Sequence, residues 1–349
     1  MTLDTIVEGV RTAYDNHSAL RIRGAGSKDF YGGMLSGIPL DVAGYRGIVA
    51  YEPTELYITA RCGTPLAEIE ATLAEQGQML AFEPPRFSGA TVGGCVAAGL
   101  SGPRRQQAGA VRDFTLGARL VDGTGQVLNF GGQVMKNVAG YDVSRLLAGS
   151  LGTLGVLAEV TLKVLPQPTA ERTLVFALDV EEAIARLNRW GGQPLPISAS
   201  FWHEGQLWLR LSGAKAAVDA AIGKLGGSEL ADGNGLWESV REQTHPVFAS
   251  DILWRLALPS TAGDPGVSGL RAVEWGGALR WYAGEQDAVR GAAARLGGHA
   301  VLYRAPESLR CLEGAFAPLS PAMLALHRRL KKYFDPRGIL NPGRLYAEF

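Results

Sequence analysis

Apolar positions in the first half of the chain switch between helical and strand spacing. Ile6, Val7 and Val10 recur at helical intervals and Tyr14 continues their face, which predicts an N-terminal helix. Leu20 to Arg23 alternates like a strand and runs into Gly24-Ala25-Gly26-Ser27-Lys28. Gly47 to Tyr51 and Leu56 to Ala60 read as two more strands. Leu66, Ile69 and Leu73 share one face of a helix expected over 65–76, with Thr64 as its N-cap and Pro65 at its first position. Leu116 to Val121 and Gln126 to Phe130 flank Asp122-Gly123-Thr124-Gly125, a hairpin signal. Val156 to Val164 alternates as a further strand, and Pro166 and Pro168 then interrupt the chain. Met323, Leu324, Leu326, Leu330 and Phe334 give the last helix, 321–334, an apolar stripe that ends at Asp335-Pro336.

The second half repeats itself. The eighteen residues from Leu211 to Ser228 align without a gap on those from Tyr282 to His299. Gly213 matches Gly284, Ala217 matches Ala288, Val218 matches Val289, and both segments end in Leu-Gly-Gly. Each reads as a strand, then a helix closed by glycine. Upstream, Arg172 to Leu178 and Ile252 to Leu258 are comparable strands, each with a helix expected after it. Two such units predict one antiparallel sheet with helices on a single face. The fold class expected is therefore α+β. Its parts are an N-terminal domain over 1–168, a smaller domain with the internal repeat over 169–319, and a C-terminal segment over 320–349.

Composition narrows the function. Lys plus Arg and Asp plus Glu are both 34, so the chain lacks the basic excess expected of a nucleic-acid-binding protein. With 46% hydrophobic and 19% charged residues it is globular rather than disordered. No apolar run approaches the ~18 residues of a membrane span. No basic and apolar leader opens the sequence, so a cytoplasmic location is expected. Cys62, Cys95 and Cys311 are widely spaced, which disfavours a disulfide framework, a structural zinc site or a cysteine-ligated cluster. Glycine is the anomaly: fifteen of the 46 fall between Gly89 and Gly155, in a pattern that admits close backbone approach to a ligand or a loop-rich β domain.

Three segments carry candidate chemistry. In Arg23-Gly24-Ala25-Gly26-Ser27-Lys28, inward N–H groups can form an anion nest, with Ser27 as a donor and Arg23 and Lys28 as cations. It is neither a dinucleotide GxGxxG site nor a P-loop, because Asp29 replaces the third glycine and no GK[ST] ending follows. From Pro84-Pro85 through Ser88-Gly89-Ala90-Thr91-Val92-Gly93-Gly94 to Ala97, nearly every side chain after Phe87 is small, which suits backbone lying along an extended ligand. Lys136 to Asp142 is followed by Gly149, Gly152 and Gly155, a spacing that fits neither a regular helix nor a strand.

Together these segments resemble the FAD-binding domain of the vanillyl-alcohol-oxidase and p-cresol-methylhydroxylase (PCMH) type. The resemblance covers roughly 1–168 and 320–349. It implies that Arg23, Gly24, Ala25, Gly26, Ser27 and Lys28 hold the FAD pyrophosphate. It places Pro85, Ser88, Gly89, Ala90, Thr91, Gly93, Gly94 and Ala97 along the pyrophosphate and flavin. Gly149, Gly152, Gly155 and Val156 would lie near the adenine side, and Asn341 would return to the cofactor from the C-terminal Asn341-Pro342-Gly343. Lys136 to Asp142 and Trp254-Arg255-Leu256 are similar to the FAD-binding E subunits of bacterial glycolate oxidases. That resemblance implies oxidation of glycolate or other 2-hydroxy acids to 2-oxo acids. It also implies a second flavoprotein subunit and an iron–sulfur subunit as partners, with any contact to the inner membrane made through the complex.

Members that oxidise 2-hydroxy acids themselves carry a clustered-histidine metal site in the smaller domain. Here His17, His203, His245, His299 and His327 are scattered, so no metal site is expected. No histidine lies in 24–28 to link a flavin there, so FAD is expected to be non-covalent. Cys95 reads as a small buried thiol. Three functions stay open: a flavin subunit dependent on partners, a self-sufficient flavin oxidoreductase, and a non-catalytic scaffold. In the second, Arg255 is the candidate to pair a substrate carboxylate; otherwise it is a solvated strand arginine.

Overall fold

The computed structural model describes residues 1–132, 142–284 and 288–349. Lys136 to Tyr141 of the third glycine-rich segment, and 285–287 of the repeat, lie outside the described residues.

The N-terminal part is built on a five-stranded antiparallel sheet. Its elements are α1 (Leu3–Asp15), β1 (Leu20–Arg23), β2 (Ile38–Asp41), β3 (Ile48–Glu52), β4 (Tyr57–Arg61), α2 (Leu66–Ala74), α3 (Val92–Ala98), β5 (Thr115–Val121), β6 (Val127–Gly131) and β7 (Val156–Lys163). The sheet order is β3-β4-β7-β5-β6, while β1 and β2 pair in parallel beside it. Strand β7 is buried on both faces because helices cover both. Ile6, Val7 and Val10 of α1 pack on Val156 and Ala158, and Leu66, Ile69 and Leu73 of α2 join Leu157 and Leu162. Thr64 does not cap α2. Pro65 occupies the cap position, and the Thr64 hydroxyl accepts from Gly47 N–H and donates to the Arg61 carbonyl.

The second part is one eight-stranded antiparallel sheet. Its first half contains β8 (Ala170–Ala177), α4 (Val180–Gly191), β9 (Ile197–His203), β10 (Gln206–Gly213), α5 (Lys215–Leu225) and β11 (Ser228–Glu229). After α6 (Gly233–Arg241), the second half contains β12 (Leu253–Ala257), β13 (Leu270–Glu274), β14 (Leu279–Ala283), α7 (Val289–Arg295) and β15 (His299–Arg304). The order is β11-β8-β10-β9-β13-β14-β12-β15. Outward from the central β9–β13 pair, the two halves therefore repeat the same arrangement.

Two expectations about the repeat need correction. No helix follows β12; residues 258–269 form a loop where the first half has α4. Nor do all helices share one face. α4, α5 and α7 cover one side of the sheet, but Trp237 and Val240 of α6 pack on the other. That second side, with Phe201, Trp281 and Tyr303, meets Tyr31, Ala98, Leu100 and Leu151 of the N-terminal part.

The last helix, α8 (Pro321–Phe334), departs from its expected apolar stripe. Phe334 is buried, but Met323 and Leu326 are exposed. The chain then returns to β1: Leu20 N–H donates to the Ile339 carbonyl and Asn341 N–H donates to the Leu20 carbonyl.

Candidate functional site

The loop after β1, the start of α3 and the returning C-terminal segment meet around a cleft of about 570 Å³. Arg23, Gly24, Ala25, Gly26, Ser27, Lys28, Thr91, Gly94, Ala97 and Asn341 line it. An adjoining hollow of about 430 Å³ shares Gly24, Thr91, Gly94, Ala97 and Asn341 and adds Gly93, Gly152 and Gly155. Thirteen sequence-predicted positions are thus brought to one groove by four distant segments.

The local geometry explains the residue choice. Gly26 has φ +73°, and a Cβ there would stand 2.6 Å from the Arg23 guanidinium. A Cβ on Gly24 would stand 2.5 Å from Thr91 Oγ1. The wall of the cleft is therefore bare backbone, fixed close to α3. Asn341 clamps the two sides, its Oδ1 accepting from Ile22 N–H at 2.7 Å and its Nδ2 donating to the Leu151 carbonyl at 2.6 Å.

The cleft is also electropositive. Lys28 Nζ and Arg23 Nε lack hydrogen-bond partners among the described residues, although Lys28 Nζ stands 5.3 Å from the Phe87 ring centre and Arg23 Nε stands 3.7 Å from Asp29 Oδ2. Burial holds the Lys28 ammonium below its ordinary pKa, against an upward pull from Cys95 and Glu242. An unpaired buried cation is costly unless a ligand supplies the counter-charge. Cys95 itself is a buried thiol pushed up to about 11 by its surroundings, which makes it inert.

Other sequence-predicted positions lie outside these hollows. The Ala90 and Val156 side chains belong to the hydrophobic core. Pro85 is buried, while Ser88 and Gly89 sit on an exposed turn. Phe87 and Ser88 both adopt positive φ there, and the Glu242 carboxylate accepts from the Arg86 and Phe87 N–H groups. Gly149 is half-buried and donates from its N–H to the Val96 carbonyl.

Sequence reasoning missed Arg344, which also lines the cleft. Its guanidinium donates to the carbonyls of Gly33, Lys28 and Asp29, and burial lowers its pKa to about 10. Arg310 likewise donates to Gly32. These two arginines fix the loop after β1 from about 280 and 310 residues away along the chain, and no local motif signals them.

Arg255 is not on a solvated face. It lies on β12, half-buried, with its guanidinium 5.0 Å from the Trp275 ring centre. Arg105 stands 4.3 Å from the same ring. Tyr31 and Tyr303 are close enough for Arg255 to oppose the upward push of burial on their hydroxyls. Among the described residues, no group of three or more His, Cys, Asp or Glu could hold a metal ion.

Comparison with known proteins agrees with this geometry. The family profile described as an FAD binding domain matches residues 2–131, and that of the C-terminal domain of FAD linked oxidases matches 317–345. The chain is 47% identical to glycolate oxidase subunit GlcE of Escherichia coli (strain K12), over 98% of this chain and 97% of that one. It is 26% identical to a D-lactate dehydrogenase of Archaeoglobus fulgidus, over 81% of this chain and 75% of that one. Its fold is similar to that of alkyldihydroxyacetonephosphate synthase, with TM-score 0.66 at 16% identity, covering 97% of this chain and 74% of that one.

Proposed function

The chain belongs to the family of glycolate oxidase subunit GlcE, and from that membership we propose that it is the FAD-holding subunit of a complex that oxidises glycolate to its 2-oxo acid. It is an FAD-dependent oxidoreductase subunit. FAD, when bound, supplies a ring that takes up and releases reducing equivalents.

The residues present fit that group. The observation that carries the reading is the Lys28 ammonium, buried in a glycine-walled cleft with no hydrogen-bond partner among the described residues. Arg23 and Lys28 would face the pyrophosphate, while Gly24, Gly26 and Gly94 allow backbone to approach it. Thr91 and Asn341 would orient the nucleotide across the groove. Pro85, Ser88, Gly89 and Ala90 would serve through the turn that leads into α3, and Gly149 and Val156 through the backbone on either side of Gly152 and Gly155. FAD would be held non-covalently, since no histidine lies in the loop.

The partners would be a second flavoprotein subunit and an iron–sulfur subunit. Support for assembly comes from the relative's own description as a subunit. A cytoplasmic location fits, and no helix among the described residues is long and apolar enough to cross a membrane. In the paired arrangement this chain's residues bind the cofactor and exclude water, and C–H cleavage falls to a partner.

A second reading rests on Arg255. It and Arg105 stand against one Trp275 ring without a carboxylate ion-pair partner among the described residues, so they could orient a 2-hydroxy acid within this chain alone. The first test is the absorption spectrum of the purified chain, followed by acid precipitation. A flavin band whose colour passes to the supernatant supports the proposal; a colourless chain after incubation with FAD, or colour kept in the pellet, opposes it.

A further inference from the structure

Helix α8 is pinned on one side and bare on the other. Lys331 is buried and donates to the carbonyls of Thr153 and Leu340 and to the Asp335 carboxylate. Phe334 packs into the core beside Leu330. The outward stripe runs Ala322, Leu326, Arg329 and Tyr333, spaced four, three and four residues apart, as one helix face requires. Leu326 is 41% exposed, Met323 45% and Tyr333 77%.

The charge of this face is one-sided. α8 carries Arg328, Arg329, Lys331 and Lys332 and no acidic residue. Lys331 is neutralised inside by Asp335, while the other three are exposed with no carboxylate partner among the described residues. The whole chain has a net charge of zero, so this is a local concentration of positive charge. His327 carries the surface onward, its ring packing against Tyr346 and Phe349. Tyr346 lines a groove of about 910 Å³ that also includes Met34 and Leu312. Leu312 is 80% exposed. Exposed apolar side chains gathered around a groove mark an interaction surface.

We propose that the outward face of α8 and this groove dock a partner subunit of the complex. The partner surface facing α8 would be acidic, and apolar side chains protruding beside it would enter the groove, whose lining also includes Glu313 and Glu348. The inference rests on the subunit reading above. Charge complementarity sets the sign of the partner. The groove favours a protein over an anionic lipid surface, since a bilayer offers no protruding side chain to fill it. Arg329 also interrupts the apolar stripe, where a membrane-lying helix keeps its charges on the opposite face.

The test is co-expression with the second flavoprotein and iron–sulfur subunits from the same source, followed by capture on a tag carried by this chain. One variant joins Arg328→Glu, Arg329→Glu and Lys332→Glu; a second is Leu312→Asp. None of these residues lines the flavin cleft, so bound flavin reports whether each variant folds. The expected result is that the wild type captures its partners and each variant captures about tenfold less or worse with flavin retained. Equal capture by both variants overturns the docking surface while leaving the subunit reading intact. If the wild type captures neither subunit, the subunit reading falls and the docking surface with it. Vesicles of phosphatidylcholine with and without phosphatidylglycerol provide the last arm. Binding of the lone wild-type chain only to the anionic vesicles, lost in the triple variant, together with unchanged partner capture, would assign the face to lipid instead.

Discussion

Arg210 of the eight-stranded sheet donates from Nη2 to the Glu83 carboxylate of the N-terminal part at 2.9 Å, with the Arg210 side chain buried and that of Glu83 largely so. Arg104 donates to the same carboxylate from its backbone N–H and from Nε, and reaches Glu171 from Nη2. Two carboxylates and two guanidiniums thus tie the parts of the molecule together.

Glu83→Gln should destabilise the chain at neutral pH by about 3–5 kcal/mol, because it leaves two buried guanidiniums undercompensated. Burial pushes the Glu83 carboxyl up, but Arg210 and Arg104 outweigh it and hold its pKa below the ordinary value. The stability it contributes is present above the unfolded-state pKa and is lost as pH falls through the lower folded value. Chemical unfolding of wild type and variant should show a gap at pH 7 that narrows in acid; a gap constant with pH would contradict the assignment.

Glu274 should behave in the opposite sense. Its carboxyl is buried and pushed up to about 7, with the Trp281 N–H bond and Arg255 pulling it only partly back. The folded state keeps the proton that the unfolded state releases, so stability falls as pH rises from about 4.5 to about 7. Glu274→Gln retains an acceptor for Trp281 and should be more stable than wild type at pH 8 by up to about 3 kcal/mol. The difference should vanish near pH 4. A variant less stable than wild type at pH 8 would show that the charged carboxylate is needed there.

Much of the glycine-walled cleft was legible in the sequence because its signal is local. Glycine at Gly24 and Gly26 and the small residues from Thr91 to Ala97 record close backbone approach, and backbone approach is written in consecutive residues. The internal repeat was legible for the same reason, and its two halves occupy matching places in one sheet. What was not legible depends on long-range contact. Arg310 and Arg344 look like surface cations in sequence, yet each is buried on the carbonyls of the loop after β1. The loop 258–269 lies where repetition predicts a helix, because repetition transmits strand order more faithfully than what covers the sheet. Met323 and Leu326 match a helical stripe, but periodicity alone does not say whether a core meets it.

Gly26→Val should weaken flavin retention. The φ of +73° is unfavourable for a β-branched residue, and the new Cβ would press on the Arg23 guanidinium. Strain of about 1–3 kcal/mol at the loop should appear as a loss of tenfold or more in FAD affinity, measured by fluorescence quenching. Affinity equal to wild type would exclude this loop from the cofactor site.

Lys28→Met separates stability from binding. Removing a buried cation that has no hydrogen-bond partner among the described residues should stabilise the apoprotein by about 1 kcal/mol or more while weakening FAD binding. Thermal melts with and without FAD would read both effects. A variant that loses apoprotein stability while holding FAD as tightly as wild type would place Lys28 in the fold rather than the site.

Anaerobic mixing of the FAD-loaded lone chain with glycolate separates a subunit that holds FAD but needs its partners for substrate oxidation from one that oxidises the substrate alone. The flavin absorbance should bleach slowly or not at all, and should bleach rapidly only in the assembled complex. Bleaching of the lone chain at the rate of turnover of that complex would show that it oxidises glycolate without partners and would make Arg255 the first residue to replace.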